Sequence, residues 1–251
     1  MTIRIAMWSG PRNISTAMMR AWENRKDTVV WDEPFYGHYL EQTGIPHPGA
    51  DEVIADQGTN WRVIAAECAN GPAPNGPRRH SGGQPGIFYQ KHMTMHLLPS
   101  IDRGWLSNVI NCFLIRSPKE VIASYAKVRS DLTLEDLGFV QQAALFDFVI
   151  KISGEIPLVI DSSDFLGDPE SMLIKICQRL GIPFRTEMIA WPEGRRDSDG
   201  VWAKYWYDSV WASTTFAPYK EKNIQLSDEQ AAICSAAQPY YEMLHQYRLQ
   251  P

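Results

Sequence analysis

The amino-acid sequence predicts an α/β domain whose mostly parallel central sheet is covered by helices. Three observations carry this expectation. Short apolar runs alternate along the chain with longer stretches of helical periodicity. The runs lack the in–out alternation of a half-solvated sheet, so they read as strands buried on both faces. The first run passes through a short turn that supplies Gly, Pro and Asn straight into a helix, as the opening of a βαβ unit does.

Taken in order, Ile3–Trp8 is the first strand and Ser9–Asn13 the turn. Ile14–Asn24 is a helix, with Ala17, Met18, Ala21 and Trp22 on one stripe. Thr28–Asp32 is the second strand, and Asp51–Asn70 a helix. Gly71–Gly86, rich in Gly, Pro and Asn and carrying Arg78, Arg79 and His80, reads as a long mobile loop. Ile87–Gln90 and Val109–Ile115 are strands. Ser117, Pro118 and Glu120 stand where an N-cap, a first helical proline and a capping-box glutamate belong, so a helix runs from there to about residue 129. Thr133–Ser153 is helical, Pro157–Asp161 a strand, and Asp168–Leu180 a helix stopped by Gly181 and Pro183. Ser227–Arg248 is the last helix, opened by Ser227 to Gln230.

The 251 residues suit one domain spanning 1–251. With 44% hydrophobic and 21% charged residues the chain can bury a core. A net charge of −5 argues against a general nucleic-acid binder, whose affinity comes from a basic face. The start shows no basic segment leading into a long apolar one, and no run of about 18 apolar residues occurs. A cytoplasmic protein without a membrane partner is therefore expected. Cys68, Cys112, Cys177 and Cys234 are scattered and form no CxxC pair, as expected of small buried hydrophobes in a reducing compartment.

Two stretches carry candidate chemistry. Gly10, Pro11, Arg12, Asn13, Ile14, Ser15, Thr16 and Ala17 follow the first strand, where parallel sheets bind ligands. A helix N-terminus there offers unpaired N–H groups and partial positive charge, Arg12 adds a full charge, and Ser15 and Thr16 add hydroxyls. The same residues also fit an ordinary N-capped helix with a solvated Arg12. The Walker A pattern GxxxxGK[ST] is absent. In the second stretch Arg116 ends a strand and Ser124 follows eight residues later, two turns into the next helix. A guanidinium and a hydroxyl so placed suit one phosphate, or a sheet-edge arginine and a small packing residue.

The run Leu114-Ile115-Arg116-Ser117-Pro118-Lys119-Glu120-Val121-Ile122-Ala123-Ser124-Tyr125 resembles the 3′-phosphate motif of sulfotransferases that use 3′-phosphoadenosine-5′-phosphosulfate (PAPS). Pro11 to Thr16 is similar to that family's 5′-phosphosulfate loop, with Asn13 and Ile14 standing where the family has Ser and Gly. Phe88 to Pro99 resembles the segment that brings a lysine and a histidine to the central strand end. Glu193 to Trp202, with Arg195 and Arg196, is similar to the basic loop that closes on the nucleotide. The resemblance covers about two thirds of the chain and implies a three-layer, P-loop NTPase-like sulfotransferase fold with PAPS as co-substrate, no metal, and a small-molecule acceptor bearing a hydroxyl or amine. It makes His92 the general base, with His96 as rival, and gives Lys91 and Arg12 the stabilisation of charge on the transferring group. The backbone at 14–17 with Ser15 and Thr16 is to hold the 5′-phosphate, and Arg116 and Ser124 the 3′-phosphate.

Trp31 to Tyr36 is expected to border the acceptor pocket, or to supply a helix cap in Asp32 and a core residue in Phe35, while Trp191, Trp202, Tyr205, Trp206, Tyr207 and Trp211 form core or a stacking platform. Two other functions compete. Asp32 and Asp161 each end an apolar run, as a magnesium-binding aspartate of a kinase-like phosphotransferase does. The altered loop at Asn13 and Ile14 suits a non-catalytic nucleotide-binding module of the same fold.

Overall fold

The computed structural model of the chain describes residues 2–71, 86–127, 132–221 and 223–251. Five strands, β1 (Ile3–Ser9), β2 (Thr28–Asp32), β3 (Ile87–Met93), β4 (Ile110–Ile115) and β5 (Leu158–Asp161), form one parallel sheet in the order β2-β3-β1-β4-β5. The main helices are α1 (Ser15–Glu23), α2 (Tyr36–Thr43), α3 (Ala50–Asp56), α4 (Trp61–Ala69), α5 (Pro118–Tyr125), α6 (Phe139–Ser153), α7 (Ser162–Gly167), α8 (Pro169–Arg179), two single turns α9 (Ala203–Trp206) and α10 (Asp208–Trp211), and α11 (Asp228–His245). Among the described residues no helix is long and apolar enough to cross a membrane.

The central strands are apolar because helices cover both faces. On one face Ile5, Met7, Tyr89, Cys112, Leu114 and Ile160 pack against Met18, Met19 and Trp22 of α1 and Met172, Leu173 and Ile176 of α8. On the other, Ala6, Trp8, Phe113, Ile115 and Val159 pack against Ile64, Ala65 and Cys68 of α4, Ala143 and Phe146 of α6, and Leu244 of α11. This is the three-layer arrangement the sequence predicts. Edge strand β2 alternates in burial, as a strand covered on one face does. At the other edge Leu249 N donates to the Val159 carbonyl at 2.8 Å, so the C-terminal segment closes β5.

Element boundaries differ where side chains claim the backbone. The single helix expected over Asp51–Asn70 is two. Gln57 leaves the helical path with φ −95° and ψ 146°, and its amide accepts from Gly37 N (2.8 Å) and donates to the Glu33 carbonyl (3.3 Å). Asn60 then caps α4 by accepting from Arg62 N at 3.1 Å. The helix expected over Thr133–Ser153 is broken at Gly138, whose φ of 73° belongs to the left-handed region. Ser117 makes no side-chain cap bond to α5, and Glu120 turns instead to the Arg116 guanidinium. Ser227 and Gln230 do form a capping box on α11. The loop predicted as mobile falls almost wholly outside the described residues, as does the predicted end of the helix near 129.

Candidate active site

β1 and β4 are neighbours, and their carboxyl ends open on the same crevice. The chain leaves β1 toward one edge of the sheet and leaves β4 toward the other, which makes this the switch point where parallel sheets bind ligands. Three contacts tie the crevice together. Gln142 of α6 donates to the carbonyls of Trp8 (3.2 Å) and Leu114 (3.1 Å) at the ends of the two strands. Asn13 donates to the same Leu114 carbonyl (3.0 Å), while its other amide atom accepts from Ile14 N at 2.9 Å. Gly10 passes so close to the short turn before α6 that a Cβ there would lie 2.7 Å from the Leu137 carbonyl oxygen.

These contacts give Asn13 and Ile14 a structural account. Asn13 stitches the loop to β4 and occupies one of the N–H groups that begin α1. Ile14 sits at φ −85°, where a side chain costs nothing, and the left-handed residue of the loop is Arg12, at φ 54°. The N–H groups of Ser15, Thr16 and Ala17 open the helix, where none has an intrahelical acceptor.

The crevice widens into a cavity of about 620 Å³. At one end lie Pro11 to Ala17, Arg116, Glu120 and Ser124, and Lys220 also lines the cavity. Arg116 Nη1 donates to the Arg12 carbonyl (2.8 Å), and Arg12 Nε donates to Ser124 Oγ (3.2 Å). The structure thus brings the two separate sequence stretches to one place. Partial burial, and then the nearby Arg116 charge, push the Arg12 guanidinium below its ordinary value. Arg116 Nε also holds the Glu120 carboxylate at 3.3 Å.

At the other end lie Glu33, Tyr36, Lys91, Met93, Met95, His96, Trp202, Trp206 and Tyr207. Lys91 is fully buried, and its ammonium donates to Asp32 Oδ1 (2.8 Å), to Glu33 Oε1 and to the Tyr207 hydroxyl (2.9 Å). Tyr207 donates its proton to Asp32 Oδ2 at 2.6 Å. Burial raises the Glu33 carboxyl, with Lys91 opposing, whereas the two carboxylates overcome the burial of Lys91 and raise its ammonium. His96 is buried in the turn after β3, stacked between Tyr36 (centroids 4.6 Å apart) and Tyr39 (4.7 Å). Its Nδ1 has no hydrogen-bond partner among the described residues and faces Glu33 Oε2 at 3.8 Å. Burial, then nearby His47, Lys91 and His92, lower its pKa, so the ring is neutral.

His92 is not brought to this cavity. Successive strand residues face opposite sides of a sheet, so Lys91 points to the crevice and His92 to the α4/α6 face. There it stacks on Trp8 at 4.2 Å beside Phe35 and Trp105, and its Nε2 meets Gln90 Oε1 at 3.1 Å. Burial, then Lys91, lower its pKa to about 3. The base expected at His92 is therefore a core histidine in this structure, and its rival His96 takes the cavity position. Arg195 and Arg196 do not line the cavity either: Arg195 stacks on Trp211 at 4.4 Å, and the Arg196 backbone N donates to Asp199 at 2.9 Å. Both strand-ending aspartates of the phosphotransferase alternative are engaged, Asp32 with Lys91 and Tyr207, and Asp161 as the cap of α7 and acceptor of the Tyr241 hydroxyl (2.9 Å).

Tyr207, Tyr219 and Lys220 join the site from a part of the chain in which only the aromatic clustering gave a signal. The segment that carries Trp202, Trp206 and Tyr207 is tied back to α1 by Asp199. That carboxylate accepts from buried Arg20 and from Trp211 Nε1 (3.0 Å). Arg20 also pairs with Glu23 at 3.2 Å.

This fold, with its crevice at the switch point of a parallel sheet, defines an α/β domain of ligand-binding architecture, and comparison with known families makes that concrete. The sulfotransferase domain family matches residues 3–247, and the chain belongs to it. Two Arabidopsis thaliana proteins called branched-chain-amino-acid aminotransferase-like protein 1 and 2 are 33% and 29% identical over 217 and 213 residues. The match covers 86% and 85% of this chain but only 37% and 36% of theirs, so the chain spans little more than a third of those relatives. Among solved structures, the sulfotransferase domain from the curacin biosynthetic pathway superposes with a TM-score of 0.58 at 15% identity, covering 100% of this chain and 99% of that one. A sulfotransferase from Alicyclobacillus acidocaldarius gives 0.54 at 10% identity, covering 99% and 97%. These likenesses are of fold.

Proposed function

We propose that the protein transfers a sulfuryl group from a PAPS-type donor to a small-molecule acceptor. One observation carries the reading: Arg12, Arg116 and Ser124, from stretches 104 residues apart or more, converge beside the N-terminus of α1 in one cavity. Two guanidiniums held this close repel each other, and an anion between them relieves the repulsion.

The donor supplies an activated sulfuryl group on a phosphate leaving group. Within the chain, the N–H groups of Ser15, Thr16 and Ala17, with the Ser15 and Thr16 hydroxyls, bind the 5′-phosphate end. Arg116 and Ser124 bind the 3′-phosphate, which separates this donor from ATP. Arg12 lies between the two and stabilises charge that grows on the leaving oxygen. Lys91 fixes Asp32, Glu33 and Tyr207 as the floor of the acceptor end. His96 Nδ1, neutral and 3.8 Å from Glu33 Oε2, takes the acceptor proton. The aromatic walls exclude water from the transfer.

Titration calorimetry with adenosine 3′,5′-bisphosphate tests the donor half of the reading. Binding that Arg116→Ala weakens at least tenfold supports it. Binding of ATP–Mg²⁺ alone overturns it in favour of a phosphotransferase. Bisphosphate binding with no sulfated product from any acceptor in a broad panel favours a non-catalytic binding module.

A further inference from the structure

The acceptor end of the cavity is chemically selective, and its selectivity goes beyond that reading while resting on it. Its floor holds one lysine against two carboxylates, Asp32 and Glu33. Lys91 has three protons and three acceptors, so it has none left for a ligand. Glu33 and His96 both line this end and bring acceptor capacity: Glu33 Oε2, and 3.8 Å from it His96 Nδ1, which is buried and has no hydrogen-bond partner among the described residues. The walls are Tyr36, Trp202, Trp206 and Tyr207, with Tyr36 and Trp202 edge to face at 5.3 Å. Aromatic faces around a carboxylate with no free cation in the floor attract a positively charged nitrogen and repel an anion. The guanidiniums lie at the opposite, donor end.

We propose that the acceptor is an amine carried on an apolar or aromatic body, seated with its nitrogen between Glu33 and His96, and that the product is an N-sulfonate. The proton balance favours an amine over a hydroxyl. A primary ammonium sheds one proton to become a nucleophile and a second as its nitrogen bonds to sulfur; a hydroxyl sheds one. The site places two proton acceptors side by side. Glu33 receives the first proton and His96 Nδ1 the second. The N–S bond forms as the bond from sulfur to the bridging phosphate oxygen breaks, and that electron pair leaves on the phosphate.

The test compares 2-phenylethylamine with the near-isosteric 2-phenylethanol as ligands of the protein saturated with adenosine 3′,5′-bisphosphate, by calorimetry at neutral pH. Bisphosphate binding is measured first, so failure of the donor reading shows there and not in the comparison; if it fails, the same two ligands are compared on the free protein. The amine is expected to bind about tenfold more tightly or better. Equal binding, preference for the alcohol, or no amine binding at millimolar concentration overturns the proposal. Glu33→Gln should bring the amine-to-alcohol ratio close to one without changing bisphosphate affinity. Should that buried substitution prevent folding, Trp206→Leu on the cavity wall serves instead, and it should weaken the amine more than the alcohol. An unchanged ratio in a folded variant of either kind counts against the proposal.

Discussion

His92 offers a quantitative test of its placement in the core. Its ring is buried against Trp8 and its pKa is lowered from 6.5 to about 3, first by burial and then by the Lys91 charge. A histidine whose folded pKa is depressed stays neutral in the native state while the unfolded chain takes up a proton. The unfolded state then binds more protons, so stability falls as pH falls below about 6.5, and the loss is complete only near pH 3. pH 4.5 lies about two units below the unfolded group's pKa, so that group is protonated while the folded group is still neutral, and at 1.36 kcal/mol per unit this costs about 2.5 kcal/mol relative to pH 7. The perturbation is His92→Phe, which keeps an aromatic ring on Trp8, cannot titrate, and loses the contact to Gln90 Oε1. At pH 7 the variant should be less stable by about 1–3 kcal/mol, the cost of leaving that amide oxygen unsatisfied. By pH 4.5 the wild type should have lost its advantage. The assay is urea unfolding of both proteins across pH 4.5 to 7.5, followed by tryptophan fluorescence. Two stability curves that decline in parallel refute the placement, because they show that the residue at 92 titrates no differently in the two states. Bisphosphate binding by the folded variant should match the wild type, since His92 does not touch the cavity.

Other outcomes follow from single contacts. Ser124→Ala removes the hydroxyl that accepts from Arg12 at 3.2 Å and should weaken bisphosphate binding severalfold, on the order of one hydrogen bond of about 1 kcal/mol, measured by calorimetry. Gly10→Ala puts a Cβ 2.7 Å from the Leu137 carbonyl oxygen; the loop or the turn before α6 must shift, and thermal melting should show a loss of about 1–3 kcal/mol together with weaker bisphosphate binding. Lys91→Met leaves Asp32 and Glu33 buried without their cation and should cost about 3–5 kcal/mol at neutral pH in denaturant unfolding. Asp199→Asn weakens the tie between Arg20 and the aromatic segment; with a PAPS donor the acceptor KM should rise more than tenfold while bisphosphate affinity changes less than twofold.

The layers of the fold were legible because they depend on local pattern. Apolar runs such as Val109–Ile115 lie between α4, α6 and α11 on one side and α1 and α8 on the other, and only a strand covered on both faces tolerates such composition. The convergence of Arg116 and Ser124 with the loop at 10–17 was legible for a related reason. Arg116 and Ser124 are set by one strand end and two turns of one helix, and the loop at 10–17 by one strand-to-helix turn. What could not be read was any break imposed by a distant partner. Nothing near Gln57 in sequence shows that its amide serves Gly37 and the Glu33 carbonyl, and this bond ends one helix and holds the turn that carries Glu33.

The end of the cavity at Lys91 separates the two kinds of information most sharply. Lys91 and His92 are adjacent, and either could serve chemistry by residue type. Counting from a motif selects His92, but a strand has period two and only one of its faces looks into the crevice. The parity is fixed by Tyr89, two residues before Lys91, which packs on α1 with Trp22 at 5.4 Å. Once Tyr89 belongs to that layer, Lys91 continues its line to the strand end, and His92 must join Trp8 on the other side. His96 escapes the constraint because the strand stops at Met93 and a short turn redirects the chain. Which histidine lines the cavity thus depends on where β3 ends and on the layer its residues share, quantities set by packing against α1 and not by spacing from a proline.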